Sequence, residues 1–408
     1  MASLPRSLQW ASAALALLVL SAGSPARSTG AMVGSTTTPQ SQVARLLASL
    51  RGRASADPRP TTPQSQVARL LAHMTQAQKV GQMLMVSFSG ASVSPQLLEM
   101  AHAWGIGGLI LYRPNVVSAA QLRALIRAVQ GAARTPLLIA TDEEGGATAM
   151  VPYSVGVHTL LSAGEYGRLG ASRRVYTDAA LAGRDLRALG VTMNLAPVLD
   201  VLLDPGSPIG TRSYGGDPNL VARLGSAAIR GYQSAGIAAT AKHFLGLGGV
   251  SVDAHTGLPT VRRSRAQLEA AELVPFRAAA RAGADALMVT HAALPALDPT
   301  GTSASLSRPI ITGYLRGTLG YRGVIISDSL TMGAITDQMG LGEAAVRAAA
   351  AGSDIVLLAS YEPLSPMALR GALQALLTAV ASGRLAPATV DAAARRVLML
   401  KATLGLLR

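Results

Sequence analysis

Cysteine is absent from the 408 residues, which excludes a disulfide framework, a thiolate metal site, a cysteine nucleophile and a lipidated cysteine. Charge is scarce too, at 14% of residues, and lysine occurs at only three positions, 79, 242 and 401. Aromatic residues make up 3%, spread thinly, and no basic stripe runs along the chain, so the stacking and phosphate-tracking pattern of a nucleic-acid binder is missing. The 42 glycines and 22 prolines follow no period, which argues against a fibrous chain. What is abundant is apolar: 49% hydrophobic residues and a mean hydropathy of +0.33 exclude disorder and supply enough core for one large domain or two ordinary ones. Of the net charge of +14, +6 sits in residues 1–75, which hold seven arginines and one aspartate, and the rest of the chain carries only +8. A mild affinity for a polyanionic surface such as a cell wall is the reading this supports.

Residues 7–26 carry no charge, follow Arg6, and end in the small-residue stretch Ser24-Pro25-Ala26. The apolar core at 11–20 is short for a permanent span and reads as a signal peptide or N-terminal anchor, residues 1–26, with export to the cell wall or exterior. Residues 27–74, rich in Ser, Thr, Pro and Arg at their start, read as a linker. Within it TTPQSQVARLLA, residues 37–48, recurs identically at 61–72, a single duplication whose second copy leads into the folded domain. From Thr75, which with Gln78 has capping-box spacing, short apolar runs alternate with helix-period stretches. The strand candidates are residues 83–88, 108–112, 137–141, 192–196, 239–244, 286–290, 323–327 and 355–359. Helical periodicity marks 119–133, 172–189, 220–234, 266–282 and 342–351, and tail helices over 366–382 and 389–404 are expected to close an outer ring. Strands apolar on both faces, alternating with helices, predict an α/β fold of the (β/α)8 TIM-type barrel over residues 75–408, with a two-domain α/β arrangement as the alternative.

Such barrels carry their chemistry at the carboxyl ends of the strands, where polar residues stand out against apolar runs. Candidates there are Asp142-Glu143-Glu144, Asn194, Asp200, Lys242-His243, Thr290-His291 and Ser327-Asp328-Ser329. The glycine-rich stretch 242–255 after the fifth run reads as a mobile loop, and Asp253 and His255, two apart in it, can point the same way and form a proton-shuttling pair. A helix-capping or solvated His255 is the bland alternative. Adjacent Glu143 and Glu144 cannot both face one ligand as Asp142 does, so they are expected to support it, while His73, His102 and His158 read as surface or satisfied histidines. On residues alone, Lys242 at a strand end suits a Schiff-base lyase, and His243, Asp253, His255 and His291 suit a metal hydrolase that lacks the usual ligand spacings.

The ordered series KVGQML at 79–84, GGLILY at 107–112, DEEGG at 142–146, NLAPVLD at 194–200, TRSY at 211–214, KHF at 242–244, DAH at 253–255 and ISDSLTM at 326–332 resembles glycoside hydrolase family 3, in its single-domain bacterial β-N-acetylglucosaminidase (β-N-acetylhexosaminidase) branch of peptidoglycan recycling and turnover. The resemblance implies a retaining glycosidase that removes terminal β-linked N-acetylglucosamine, with Asp328 as nucleophile, His255 as acid/base partnered by Asp253, and Asp142, Arg212, Lys242 and His243 holding sugar hydroxyls. It implies no metal and no organic cofactor, a carbohydrate as partner, no nucleic acid, a monomer, and no stable membrane span once the leader is cleaved. A two-domain β-glucosidase of the same family and a saccharide-binding protein without turnover are the neighbouring alternatives. The chain departs from the family's usual KHFPGHG at Leu245 and Leu247, and Ala147 stands where an arginine normally follows EGG.

Overall fold

The computed structural model describes residues 62–362 and 364–407, so the leader, the first copy of the duplicated segment and the linker through residue 61 lie outside the described residues. Among the described residues, eight parallel strands form one sheet: β1 Leu84–Val86, β2 Gly108–Leu111, β3 Leu138–Thr141, β4 Met193–Asn194, β5 Ala238–Phe244, β6 Ala286–Val289, β7 Val324–Ser327 and β8 Val356–Leu358. Their spatial order is β8-β1-β2-β3-β4-β5-β6-β7. The sheet closes on itself through a parallel bridge between Ile326 and Ile355 and through Ser327 N–H donating to the Ile355 carbonyl at 3.0 Å. Every expected strand run is thus a barrel strand.

The closure follows from side chains alternating between faces at a period of two. In β2, Ile110 fills the barrel interior while Leu109 and Leu111 turn out toward the helices; in β6, Ala286 and Met288 point in while Leu287 and Val289 point out. Both faces are therefore apolar, and a helix must cover the outer one. The covering helices include α3 Ala119–Ala132, α4 Ser172–Leu189, α5 Pro218–Ser234, α6 Leu273–Arg281, α7 Leu341–Ala351 and α8 Pro366–Ala381. Ser118 starts α3 through a capping box with Gln121, and Gly190, at φ 99°, ends α4 where a side chain would be strained.

The structure corrects three expectations. The helix foreseen over 266–282 is broken into Arg265–Ala270 and α6, because Pro275 has no N–H to give the carbonyl of Ala271 and its ring crowds that turn. The segment 62–74, expected as linker, holds the helix α1 Pro63–His73, capped reciprocally by Thr62 and Ser65; Val67 and Leu71 are buried against Ala394, Leu398 and Leu407. The folded unit therefore starts ahead of α2 Gln76–Gln82, whose Thr75–Gln78 capping box is as foreseen. The last helix, α9 Pro387–Thr403, does not join the ring. Its Val397 and Leu400 belong to the interior cluster, so it plugs the amino-terminal end of the barrel. Asp354, just ahead of β8, ties it there by accepting from Arg396 on α9 at 2.8 Å, from Arg316, and from Ile325 N–H.

Candidate active site

With the bottom plugged, the open end is the carboxyl end of the strands. Asp142, Arg212, Lys242, His243, Asp253, His255 and Asp328, all singled out in the sequence, line one cavity of about 420 Å³ there. Its base is a buried ionic lattice. Lys242, the fifth residue of β5, places Nζ 2.5 Å from Asp142 Oδ1 and 2.7 Å from Glu144 Oε1. Arg212 grips Glu144 with both ends of its fork, Nε and Nη2 each at 2.8 Å. Two carboxylates thus neutralise two cations, the condition under which buried charges are tolerable. Burial works against charge on Glu144 and Lys242. The cations nevertheless hold Glu144 well below the usual carboxylate range, while Asp142 and Glu144 raise Lys242 above its ordinary value. An amine so clamped stays protonated, which removes the Schiff-base option left open by its place at a strand end.

Asp328 follows β7 and faces the same cavity. Burial opposes its ionisation, yet the His291 and His243 rings, the Ser329 N–H at 2.7 Å and the Lys242 ammonium keep its carboxyl below the ordinary aspartate range. It is a fixed anion with no ion-pair partner in direct contact among the described residues. His291 and Asp200 lie behind the cavity. His291 Nε2 sits 2.8 Å from the Ser329 carbonyl and so carries a proton, and its Nδ1 lies 2.7 Å from Ser305 Oγ; burial holds this ring below its usual pKa against the opposing pull of the Asp328 carboxylate. Asp200 accepts from His243 Nδ1 at 2.7 Å and from Leu247 N–H at 2.6 Å, which turns His243 Nε2 toward Arg212 and the cavity.

The loop after β5 brings the remaining pair to the rim. Asp253 Oδ1 lies 2.8 Å from His255 Nδ1 and also takes the His255 N–H at 2.9 Å. Both side chains are open to solvent, 47% and 68% exposed, so Nε2 is free to meet a ligand. The loop is anchored rather than hanging free. Gly333 and Ala334, just beyond Asp328, donate to the carbonyls of His255 and Ala254 at 3.2 and 3.0 Å. Leu245 and Leu247, the departures from KHFPGHG, are buried in the main hydrophobic core. They fasten the start of the loop by apolar contact.

Glu143 and Glu144 face opposite ways, as their adjacency requires. Glu143 is sealed beneath the hairpin formed by Glu143–Gly145 and Thr148–Ala149, where burial pushes its carboxyl up to about 8. Arg113, from the neighbouring strand end, braces the hairpin by donating to the carbonyls of Ala149 at 2.8 Å and Ala147 at 3.3 Å, and its charge lies near Glu143. Asn194 holds the hairpin by a reciprocal pair of 2.9 Å hydrogen bonds to the Glu143 backbone. Sequence reasoning missed the aromatic wall of the cavity. Tyr112, the first residue after β2, stacks on Tyr361 with ring centroids 4.7 Å apart, beside Met150. Tyr112 could have been found by the strand-end rule that found Asp142; Tyr361, on the loop after β8, had no comparable marker.

Fold and site together place the chain among the (β/α)8 barrels that seat a polar ligand over the carboxyl ends of their strands. Within that class it belongs to glycosyl hydrolase family 3: the model of that family's N terminal domain matches residues 75–400. The chain is 34% identical over 321 residues to beta-hexosaminidase A of Pseudoalteromonas piscicida, covering 70% of this chain and 54% of that protein. It is 36% identical over 293 residues to a beta-hexosaminidase of Alkalilimnicola ehrlichii, covering 70% and 83%. Its structure resembles that of a family 3 β-N-acetylglucosaminidase from Paenibacillus sp. str. FPU-7, with a TM-score of 0.79, 42% identity, and coverage of 82% of this chain and 63% of that one. The chain thus spans little more than half the length of the first of these relatives.

Proposed function

We propose that the chain is a retaining exo-β-N-acetylglucosaminidase. The observation that carries this reading is the ionised Asp328 in a cavity whose rim bears an imidazole held by a carboxylate through Nδ1 alone. In the first step Asp328 attacks the anomeric carbon as the glycosidic C–O bond breaks, and His255, as imidazolium, gives its Nε2 proton to the leaving oxygen. The glycosyl ester on Asp328 is then opened by water, whose proton passes to Nε2 of the now neutral ring. Throughout, Asp253 holds the Nδ1 proton and favours the charged ring when it forms. Asp142, Lys242, Arg212 and His243 present fixed donors and acceptors to the sugar hydroxyls at the cavity base, where charge-assisted hydrogen bonds are strong. The cavity volume of about 420 Å³ suits a single terminal sugar and part of its leaving group.

Names of the related proteins and the resemblance of the site support N-acetylglucosamine as the sugar; the apolar leader supports export, and cell-wall fragments are the substrate source we infer. The test is incubation with a 5-fluoro N-acetylglucosaminyl fluoride followed by peptide mass analysis. A glycosyl adduct on Asp328 is expected. Saccharide binding with no adduct and no turnover on an aryl N-acetylglucosaminide would replace the reading with that of a binding protein. Faster turnover of an aryl β-glucoside would change the sugar assigned.

A further inference from the structure

Away from the catalytic mouth, beside α9 at the plugged end of the barrel, lies a second and larger cavity of about 900 Å³. Its walls come from three distant parts of the chain: the last turns of α6, the segment leading into β7, and α9. Five arginines line it, Arg277, Arg281, Arg322, Arg395 and Arg396, against one carboxylate, Asp285. That carboxylate is turned inward, accepting from Gln233 at 2.8 Å and from Ala239 N–H at 3.1 Å. Arg396 is occupied with Asp354, Arg277 with Tyr314, the Glu269 carbonyl and, at 3.9 Å, the Glu269 carboxylate, and Arg281 with the Arg277 carbonyl, but Arg322 and Arg395 are exposed and make no ion pair or hydrogen bond among the described residues. The only aromatic lining residue, Tyr321, is buried, its hydroxyl donating to the Ala284 carbonyl at 2.9 Å, so no face is offered for stacking a base.

We infer that this arginine-lined cavity is a docking site for a phosphate-bearing linear polymer, separate from the catalytic pocket. The like charges in one concavity repel each other and raise the local potential, a cost that an anion relieves. Guanidinium forks match oxyanions in pairs of parallel hydrogen bonds, and a phosphate has enough oxygens to serve several crowded forks at once, whereas a carboxylate has two. The cavity stays open to solvent, which a chain passing through needs. Folding brings these arginines, from positions 277 to 396 of the chain, into one concavity.

The test is fluorescence anisotropy of labelled medium-chain polyphosphate with the full-length protein, alongside poly-glutamate of matched charge. Polyphosphate is expected to bind, and the double variant R322S/R395S to weaken it by roughly tenfold or more, with a shallower dependence on salt. A control pair outside the cavity lining, R173S/R223S on α4 and α5, removes the same charge and is expected to leave binding within about twofold. An unchanged thermal midpoint and unchanged aryl-glycoside turnover in R322S/R395S would show that fold and catalytic pocket are intact. Equal loss in both double variants would reduce the effect to overall charge and overturn the inference. So would tighter binding of poly-glutamate, or binding to phosphatidylglycerol vesicles with none to polyphosphate, or no effect of R322S/R395S.

Discussion

Lys401 is the one lysine of this chain that the catalytic lattice and the surface leave unaccounted for. It sits on α9, fully buried, its ammonium held among the described residues by the Gln82 side-chain oxygen alone, at 2.6 Å. Burial drives its pKa down from 10.5 to about 7. In the unfolded chain the amine keeps its ordinary value, so between about pH 7 and 10.5 the unfolded state binds more protons than the folded one. Stability therefore rises with pH across that window, and below about pH 7 the full penalty is present. At 1.36 kcal/mol per unit, the depression is worth about 5 kcal/mol against the fold at neutral pH. Lys401→Met keeps the apolar stem and removes this penalty, while leaving the Gln82 oxygen unpaired at a cost of about 1–3 kcal/mol. The variant is expected to be more stable than the wild type at pH 7 by about 2–4 kcal/mol. The gap should close, and then reverse by the Gln82 cost, as pH rises to 10. Urea denaturation at pH 7, 8, 9 and 10 measures both, with the difference between the two proteins cancelling other groups that titrate there. A variant less stable at pH 7, or a gap that does not change with pH, would refute the reasoning.

Asp328→Ala is expected to lower turnover of an aryl N-acetylglucosaminide by about four orders of magnitude with an unchanged thermal midpoint, since in the proposed mechanism it removes the nucleophile and no packing; residual activity near wild type would exclude the assigned role. His255→Ala should slow substrates with poor leaving groups far more than nitrophenyl ones, because only the former need the proton; equal loss on both would point to a role in binding. Lys242→Met leaves Asp142 and Glu144 without their shared cation, which should cost about 3–5 kcal/mol in denaturation and raise KM steeply. In Gly333→Ala the new Cβ meets the His255 carbonyl oxygen at 2.5 Å, so the loop must shift. A fall in kcat by roughly tenfold to a hundredfold, with little change in thermal midpoint, is expected, and unaltered kcat would show that the loop position does not matter. For wild type, the acid limb of kcat/KM should fall below the ordinary aspartate range, because Asp328 is ionised there and loses activity only as pH drops through its depressed pKa.

Much of this was legible before folding. The strand runs are visible because a strand buried on both faces must be apolar throughout, and the charged residues at their ends stand out for the same reason: Asp142 after Thr141, Lys242 within an alanine-rich run, Asp328 after Ser327. Family resemblance then supplied the roles that residue type alone left open between a lyase, a metal hydrolase and a glycosidase. Helix α1 was hidden by a Ser-, Thr- and Pro-rich context that reads as linker, although its Thr62-Pro63 start and its Val67–Leu71 spacing are helical signals.

The sequence by itself determined the alternation of elements, and with it the barrel, because apolar periodicity is a local property of consecutive residues. It also determined which residues stand at the strand ends. Tertiary structure alone decided what those residues do to one another. That Lys242 sits between Asp142 and Glu144, that Arg113 donates to the Ala147 carbonyl, that Tyr361 lies on Tyr112, and that α9 plugs the barrel with a lysine inside are facts of distance between segments up to hundreds of residues apart. Charge state, ring tautomer and cavity shape depend on those distances through Coulomb interaction and burial, and no local pattern of residues encodes them.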